Sequence, residues 1–275
     1  MELDSITGLL RPWPVLLSGF RRSMTELTSR EDMAIAVGGS LARGTVDRFS
    51  DLDFAVLAAP GTDPGPLCSW VAGRLGAIGR RLSQFPANHI GLPNLIVTFC
   101  EIDGEVVKVD CMVLPQGAIG QLAGYRVIHD PSGIATGTPG SDATAEPIDE
   151  AELDEKFTGW CWYSFTKIAR GELMEATDAL DVMRRNVLVP VLRHRRGLKA
   201  EGFRWLEDLL SSDDLASLHR TYPGVPGRHG LVAALAAQMT LYRTLRAADA
   251  PAALDRMADL LAREPLWRQS MEGAP

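Results

Sequence analysis

Asp51 and Asp53 stand in the spacing Asp-x-Asp within an apolar run, and ten residues separate them from the turn Val37-Gly38-Gly39-Ser40. Aspartate is a poor strand former and costly to bury without a partner, so two in one such run call for a reason. In an extended chain residues i and i+2 share a face, about 6.6 Å apart. Asp51 and Asp53 then point to one side, while Leu52, Phe54 and Val56 point to the other. Two converging carboxylates repel each other unless a cation lies between them. Mg²⁺ is held in this way, by one or two carboxylates together with substrate phosphates. A glycine-rich turn just upstream supplies backbone N–H groups for those phosphates.

A third carboxylate comes from a hairpin. Residues 95–102 and 105–114 flank Asp103-Gly104, a pair suited to a two-residue turn. That turn pairs Ile102 with Glu105, and hence Val97 with Asp110. The second strand then has a core face of Val107, Val109, Cys111 and Val113. Its other face carries Val106, Lys108, Asp110 and Met112, so Asp110 is the lone acid of an otherwise apolar stretch.

The elements that must position these groups follow from periodicity. Val15, Leu16, Phe20, Met24 and Leu27 recur at helical spacing over 14–29. Residues 34–37 form a short buried strand closed by Gly38-Gly39, residues 51–57 a second strand, and 60–66 a loop. Residues 67–82 read as a helix weakened by Gly73, Gly76 and Gly79. The stretch 136–150 is rich in Gly, Pro, Thr and Ala without apolar periodicity and reads as a linker. Beyond it the apolar spacing is helical throughout, over 153–191 and near 201–210, 213–220, 229–247 and 251–263, with a break at Pro223 to Gly227. This predicts an α/β (α+β) domain with a mixed sheet over 1–135, a linker over 136–150 and an all-α bundle over 151–275.

Bulk composition narrows the function classes. A hydrophobic content of 46% with 23% charged residues is that of a globular chain. The net charge of −7, spread over both halves, argues against a nucleic-acid partner held through phosphates. No apolar run is long enough for a membrane span, and Met-Glu-Leu-Asp lacks a basic leader, which points to a cytoplasmic setting. The four cysteines include no Cys-x-x-Cys pair, and the five histidines have no ligand spacing.

Taken together, Gly39-Ser40, ten residues, Asp51-Leu52-Asp53 and the later Val109-Asp110-Cys111 resemble the nucleotidyltransferase domain of the DNA polymerase β type. The resemblance covers roughly 30–130. In the second half, Phe165 to Leu173 followed by Asp181-Val182-Met183-Arg184-Arg185 is similar to the helical domain of bacterial antibiotic nucleotidyltransferases. The lincosamide-modifying members look most similar, with aminoglycoside adenylyltransferases as relatives. The resemblance implies Mg²⁺-dependent transfer of AMP from ATP to a hydroxyl of a small molecule, in a cleft between the two domains. Gly39 and Ser40 would cradle phosphates, and Lys167 and Arg43 are candidates for the β- and γ-phosphates. Asp51 and Asp53 would hold Mg²⁺. Asp110 would share a second ion and act as general base. A homodimer sharing the cleft is compatible with this build.

Plainer readings stand beside these. Lys167 reads equally well as a surface helix lysine. Arg184 and Arg185 follow Asp181 at i+3 and i+4, so helix ion pairs account for them. Glu172, Glu175 and Asp178 form a solvated face or attract a cationic acceptor. Two rival functions remain: a protein-modifying or antitoxin-like nucleotidyltransferase, and a nucleotide-binding pseudoenzyme.

Overall fold

The computed structural model describes residues 2–136, 147–199, 201–224 and 227–263. The chain divides into two compact units, Met1–Ala143 and Thr144–Pro275. Most of the linker read over 136–150 lies outside the described residues, as do 225 and 226 within the break at Pro223 to Gly227.

The first unit opens with α1 (Glu2–Leu10) and α2 (Pro14–Leu27), then β1 (Met33–Val37), α3 (Gly39–Arg43), β2 (Leu52–Ala58) and α4 (Pro64–Leu75). There follow β3 (Arg80–Ala87), β4 (Leu92–Ile102), β5 (Glu105–Leu114) and β6 (Arg126–His129). Among the described residues the six strands form one mixed sheet in the order β3-β4-β5-β2-β1-β6. All neighbours are antiparallel except β2 and β5, which run parallel. The Asp-Gly hairpin has the expected register, with Ile102 opposite Glu105 and Val97 opposite Asp110.

Alternation along the strands builds two unequal cores. Met33, Ile35, Leu52, Phe54, Val56, Val107, Val109 and Cys111 face the helices and pack on Ile6, Leu10, Phe20, Leu27, Leu67 and Val71. Gly19 lets α2 close on the sheet, because a Cβ there would meet Leu52, Val107 and Ile102 side chains at 3.2–3.3 Å. The other face carries a thinner cluster of Ala34, Ala36, Ala55, Leu57, Leu114 and Ile119. Small residues leave this face shallow.

Two expected elements of this first unit differ in the structure. The segment expected as a helix over 67–82 is a helix only to Leu75, and Arg80 begins an edge strand. Gly79 is the cause: a Cβ there would sit 2.5 Å from the Glu101 carbonyl oxygen, so glycine lets the chain turn in against β4. The loop expected over 60–66 ends early, since Asp63 accepts a 2.9 Å bond from Gly65 N and caps a helix opened by Pro64.

The second unit is helical: α5 (Glu150–Arg170), α6 (Leu173–Met183), a π turn over Arg184–Leu188, α7 (Val189–Arg195), α8 (Leu206–Leu209), α9 (Ser212–His219), α10 (Arg228–Arg246) and α11 (Ala253–Arg263). Its core joins Phe157, Cys161, Ile168, Leu180, Met183, Leu235 and Tyr242. Phe157 and Tyr242 stack with ring centroids 4.0 Å apart. Pro190 lacks the N–H that would reach Asn186, and the ladder widens into the π turn just ahead of it. Arg184, expected as a helix ion pair, does pair with Asp181. It is also fully buried, donating to the Thr221 carbonyl at 2.5 Å and lying 4.0 Å from the Tyr222 ring centre.

One ion pair of this unit carries a pH prediction. Ser211 caps α9 by accepting from Asp214 N, and Arg196 donates to the Asp214 carboxylate. Burial pushes the Asp214 carboxyl up, but hydrogen bonds from Arg196 and Ser211 outweigh it and hold its pKa below the ordinary value. A depressed carboxyl stabilises the fold above its unfolded pKa, about 3.9, and that contribution vanishes as pH falls through the folded value. Asp214→Asn is therefore expected to lose about 1 kcal/mol at pH 7 in urea unfolding, with the gap to the parent closing below roughly pH 4. A gap that persists in acid would put its origin in packing rather than charge.

Candidate active site

The three motif segments meet at one end of the sheet for a topological reason. β1 runs antiparallel to β2, so the end of β1 adjoins the start of β2, and Gly38 N donates to Asp53 O at 2.9 Å. β5 runs parallel to β2, and its register places Asp110 directly beside Asp53. Both lie on the shallow face: Asp51, Asp53, Ala55 and Leu57 share one column, and Lys108, Asp110, Met112 and Leu114 the next. The carboxylates thus begin where the small cluster of Ala55, Leu57 and Leu114 ends.

The ten residues before Asp51 have their own local order. Gly38 precedes the short α3, and Gly39 has φ +55°, a left-handed conformation that favours glycine. A Cβ on Gly39 would run into the Asp53 carboxylate, and one on Gly38 into the Tyr125 ring. The turn is therefore a cradle shaped by two missing side chains. The Ser40 carbonyl accepts from Gly44 N and Thr45 N, closing α3. Asp47 then accepts from Phe49 N at 2.7 Å and from Ser50 Oγ at 3.1 Å, which sets the chain on course into Asp51.

Lys108 is the residue sequence reasoning left without a role. Its ammonium donates to Asp51 Oδ2 at 2.6 Å and to Asp110 Oδ2 at 2.8 Å. Burial works against the charge of Lys108, yet the bonds to Asp110 and Asp51 prevail and raise its pKa above the ordinary lysine value. The signal was its position, two residues before Asp110 on the same strand face. Tyr125, just ahead of β6, is the other. Its ring covers Gly38, and burial, followed by the Asp53 charge, pushes its hydroxyl well above the usual phenol range. It remains a neutral hydrogen-bonding group at any physiological pH.

The fit of a divalent cation rests on these side chains. Among the described residues no three carboxylate, thiol or imidazole groups are gathered closely enough to hold a metal as they lie. Two of the expected ligands nonetheless converge on one point, and a cation already stands there: the Lys108 ammonium takes an oxygen from each of Asp51 and Asp110. Their side chains are only 33% and 17% exposed, so the pair is shielded enough for its charge to need an answer. The donor set suits a hard, oxygen-seeking ion once the ammonium moves aside.

Lys167 belongs to the second unit. There its ammonium pairs with Glu172 at 2.6 Å and lies 5.1 Å from the Tyr163 ring centre. Of the acidic set on this stretch, Glu172 is held by Lys167 and Glu175 accepts from the Tyr163 hydroxyl. Asp130, next to β6, is a turn residue that accepts from Ile134 N and Ala135 N.

Residues 17–97 match the family described as the nucleotidyltransferase domain. The chain carries a nucleotidyltransferase domain. The match takes in the Gly38-Gly39-Ser40 turn and the Asp51/Asp53 pair and stops short of Lys108 and Asp110. Among solved structures, an aminoglycoside 6-adenyltransferase from Bacillus subtilis aligns with 94% of this chain and 97% of its own, at 16% identity and a TM-score of 0.37. At that level the likeness transfers no residue role to this chain. No curated protein sequence matches the chain. No helix among the described residues is long and apolar enough to cross a membrane.

Proposed function

We propose that this nucleotidyltransferase moves the AMP of ATP onto a hydroxyl of a small molecule and releases pyrophosphate, using Mg²⁺, with a lincosamide or aminoglycoside antibiotic as the acceptor class. The observation that carries the reading is the pairing of Asp53 with Asp110 across β2 and β5, beside Asp51 and against the Gly39 cradle. The antibiotic acceptor rests on the resemblance carried in the helical half by Phe165 to Leu173 and Asp181 to Arg185.

In this reading Asp51, Asp53 and Asp110 are the side chains that would hold Mg²⁺, which supplies charge for the triphosphate and for the departing pyrophosphate. Gly39 and Ser40 let the backbone approach the phosphates, and the Ser40 hydroxyl donates to them. Asp110 takes the proton of the acceptor hydroxyl as that oxygen bonds to the α-phosphorus and the bond from the α-phosphorus to the β-phosphate bridging oxygen breaks. The electron pair of that bond leaves with pyrophosphate. Lys167 is assigned to the β- and γ-phosphates, for which it would exchange Glu172 for a phosphate oxygen.

The test is pyrophosphate release from ATP with Mg²⁺ across a panel of lincosamides and aminoglycosides. Release is expected with a panel member and is expected to fall by about 10³-fold or more in Asp53→Asn, since a carboxamide no longer neutralises the cation. Release that survives in Asp53→Asn removes the metal argument. ATP binding without turnover of any panel member removes the antibiotic acceptor and moves a hydroxyl on a protein or metabolite ahead.

A further inference from the structure

Lys108 answers the charge of the two carboxylates that the proposed reaction needs for its metal. We infer that Lys108 is an internal counter-ion, holding Asp51 and Asp110 in the nucleotide-free protein and leaving them for the triphosphate, so that metal entry is tied to nucleotide arrival. The inference rests on the metal-dependent reading above and concerns the order in which its parts assemble.

Three observations carry it. The ammonium sits 2.6 Å from Asp51 Oδ2 and 2.8 Å from Asp110 Oδ2, so the oxygens facing the shared point are already engaged by a cation. The bridge joins two strands: Lys108 and Asp110 are on β5, and Asp51 immediately precedes β2, next to the pair Leu52 and Val109. It therefore fixes the separation of the two carboxylates and keeps them from splaying under their own repulsion. The Lys108 side chain is 30% exposed, and its flexible four-carbon stem lets the charged head swing without moving the strand.

Consequences for binding follow from electrostatics. An oxygen that accepts from an ammonium is a poorer ligand for a second cation, and two cations at one point repel each other. A metal arriving alone must therefore displace Lys108 into water and gains only carboxylates in return. A metal arriving with a triphosphate gains phosphate oxygens as well, and the displaced ammonium gains an anionic partner. Lys108 is thus a positioning residue that weakens the binding of metal alone and strengthens the joint binding of metal and nucleotide. By linkage the two ligands must raise each other's affinity by the same factor.

The experiment is a Mn²⁺ titration of the full chain, read by loss of the electron paramagnetic resonance signal of free Mn²⁺, with and without a non-hydrolysable ATP analogue. Lys108→Met keeps the stem and removes the charge. Without nucleotide it is expected to bind Mn²⁺ about tenfold more tightly than the parent, and its gain in affinity on adding the analogue is expected to shrink by a similar factor. Lys108→Arg, which keeps the cation, is expected to retain weak binding of metal alone. Thermal unfolding without metal establishes that each variant is folded, and Lys108→Gln replaces Lys108→Met should the latter not fold. Equal Mn²⁺ affinity in the parent and Lys108→Met, abolished in each by Asp53→Asn, overturns the inference and leaves the metal reading standing. Absence of Asp53-dependent Mn²⁺ binding in every variant, even with the analogue, overturns both.

Discussion

Asp110→Asn is expected to lower kcat by about 10³-fold while raising the dissociation constant of ATP by less than about tenfold. The asymmetry follows from where the residue sits. Asp110 is paired with Asp53 across the β2–β5 ladder, and its side chain is 17% exposed, so its carboxylate sits in a shielded spot beside the Asp51/Asp53 pair. A carboxamide of the same size fills the same space but takes no proton from an attacking hydroxyl. In the proposed reading nucleotide binding has other supports, namely the turn at Gly39-Ser40 and the carboxylates of Asp51 and Asp53. Lys108 keeps its bond to Asp51 in the variant, so the strands stay joined and the melting temperature is expected to move by only a few degrees. Isothermal titration with a non-hydrolysable ATP analogue, set against steady-state pyrophosphate release, separates the two quantities. Parallel losses in kcat and affinity make Asp110 a metal ligand only and pass the role of base to another group.

Much of this arrangement is legible one segment at a time and illegible between segments. The hairpin could be read to the residue, because Asp103-Gly104 fixes a two-residue turn and alternation from Val107 to Val113 fixes the faces. The placement of Asp53 beside Asp110 depends on a parallel pairing between strands far apart in the chain, and no local pattern encodes it. Only the resemblance to a known family brought the two together beforehand. Lys108 escaped notice for the same reason: a lysine on the polar face of a strand is ordinary until its neighbour proves to be the strand after Asp51. Tyr125 lies in a stretch with no periodicity, and its role shows only in the space Gly38 leaves for its ring. The edge strand β3 was hidden by its own solvent exposure, since Arg80 to Ala87 buries little and carries Pro86. In the helical unit the apolar spacing marked the elements well except near 201–210, where only Leu206–Leu209 is helical. It said nothing of Arg184, whose burial depends on Thr221 and Tyr222 arriving from a distant segment.

Gly39→Ala and Gly44→Ala are expected to cost similar stability and to differ widely in activity. Both glycines lie in the left-handed region, at φ +55° and +76°; Gly39 is the first residue of α3 and Gly44 directly follows its last. An alanine at either pays roughly 1–2 kcal/mol for that backbone, a fall of several degrees in melting temperature. Their surroundings are opposite. The methyl group at 44 would touch only the Leu9 side chain at 3.9–4.0 Å, which is ordinary contact, whereas the methyl group at 39 would collide with the Asp53 carboxylate. Relief requires Asp53 to turn away or the turn to back off from the sheet, and either displaces by about an ångström a group that the proposed reaction needs. Gly39→Ala is therefore expected to lose at least about 10²-fold in pyrophosphate release, and Gly44→Ala to stay within about twofold of the parent. Differential scanning fluorimetry beside the release assay reads both effects in one series. Equal losses of activity in the two variants would mean that the conformation of α3 matters and the clearance over Asp53 does not. A loss confined to Gly39→Ala assigns this glycine to the Asp53 carboxylate, a second reason for its place in the motif besides the approach of phosphates.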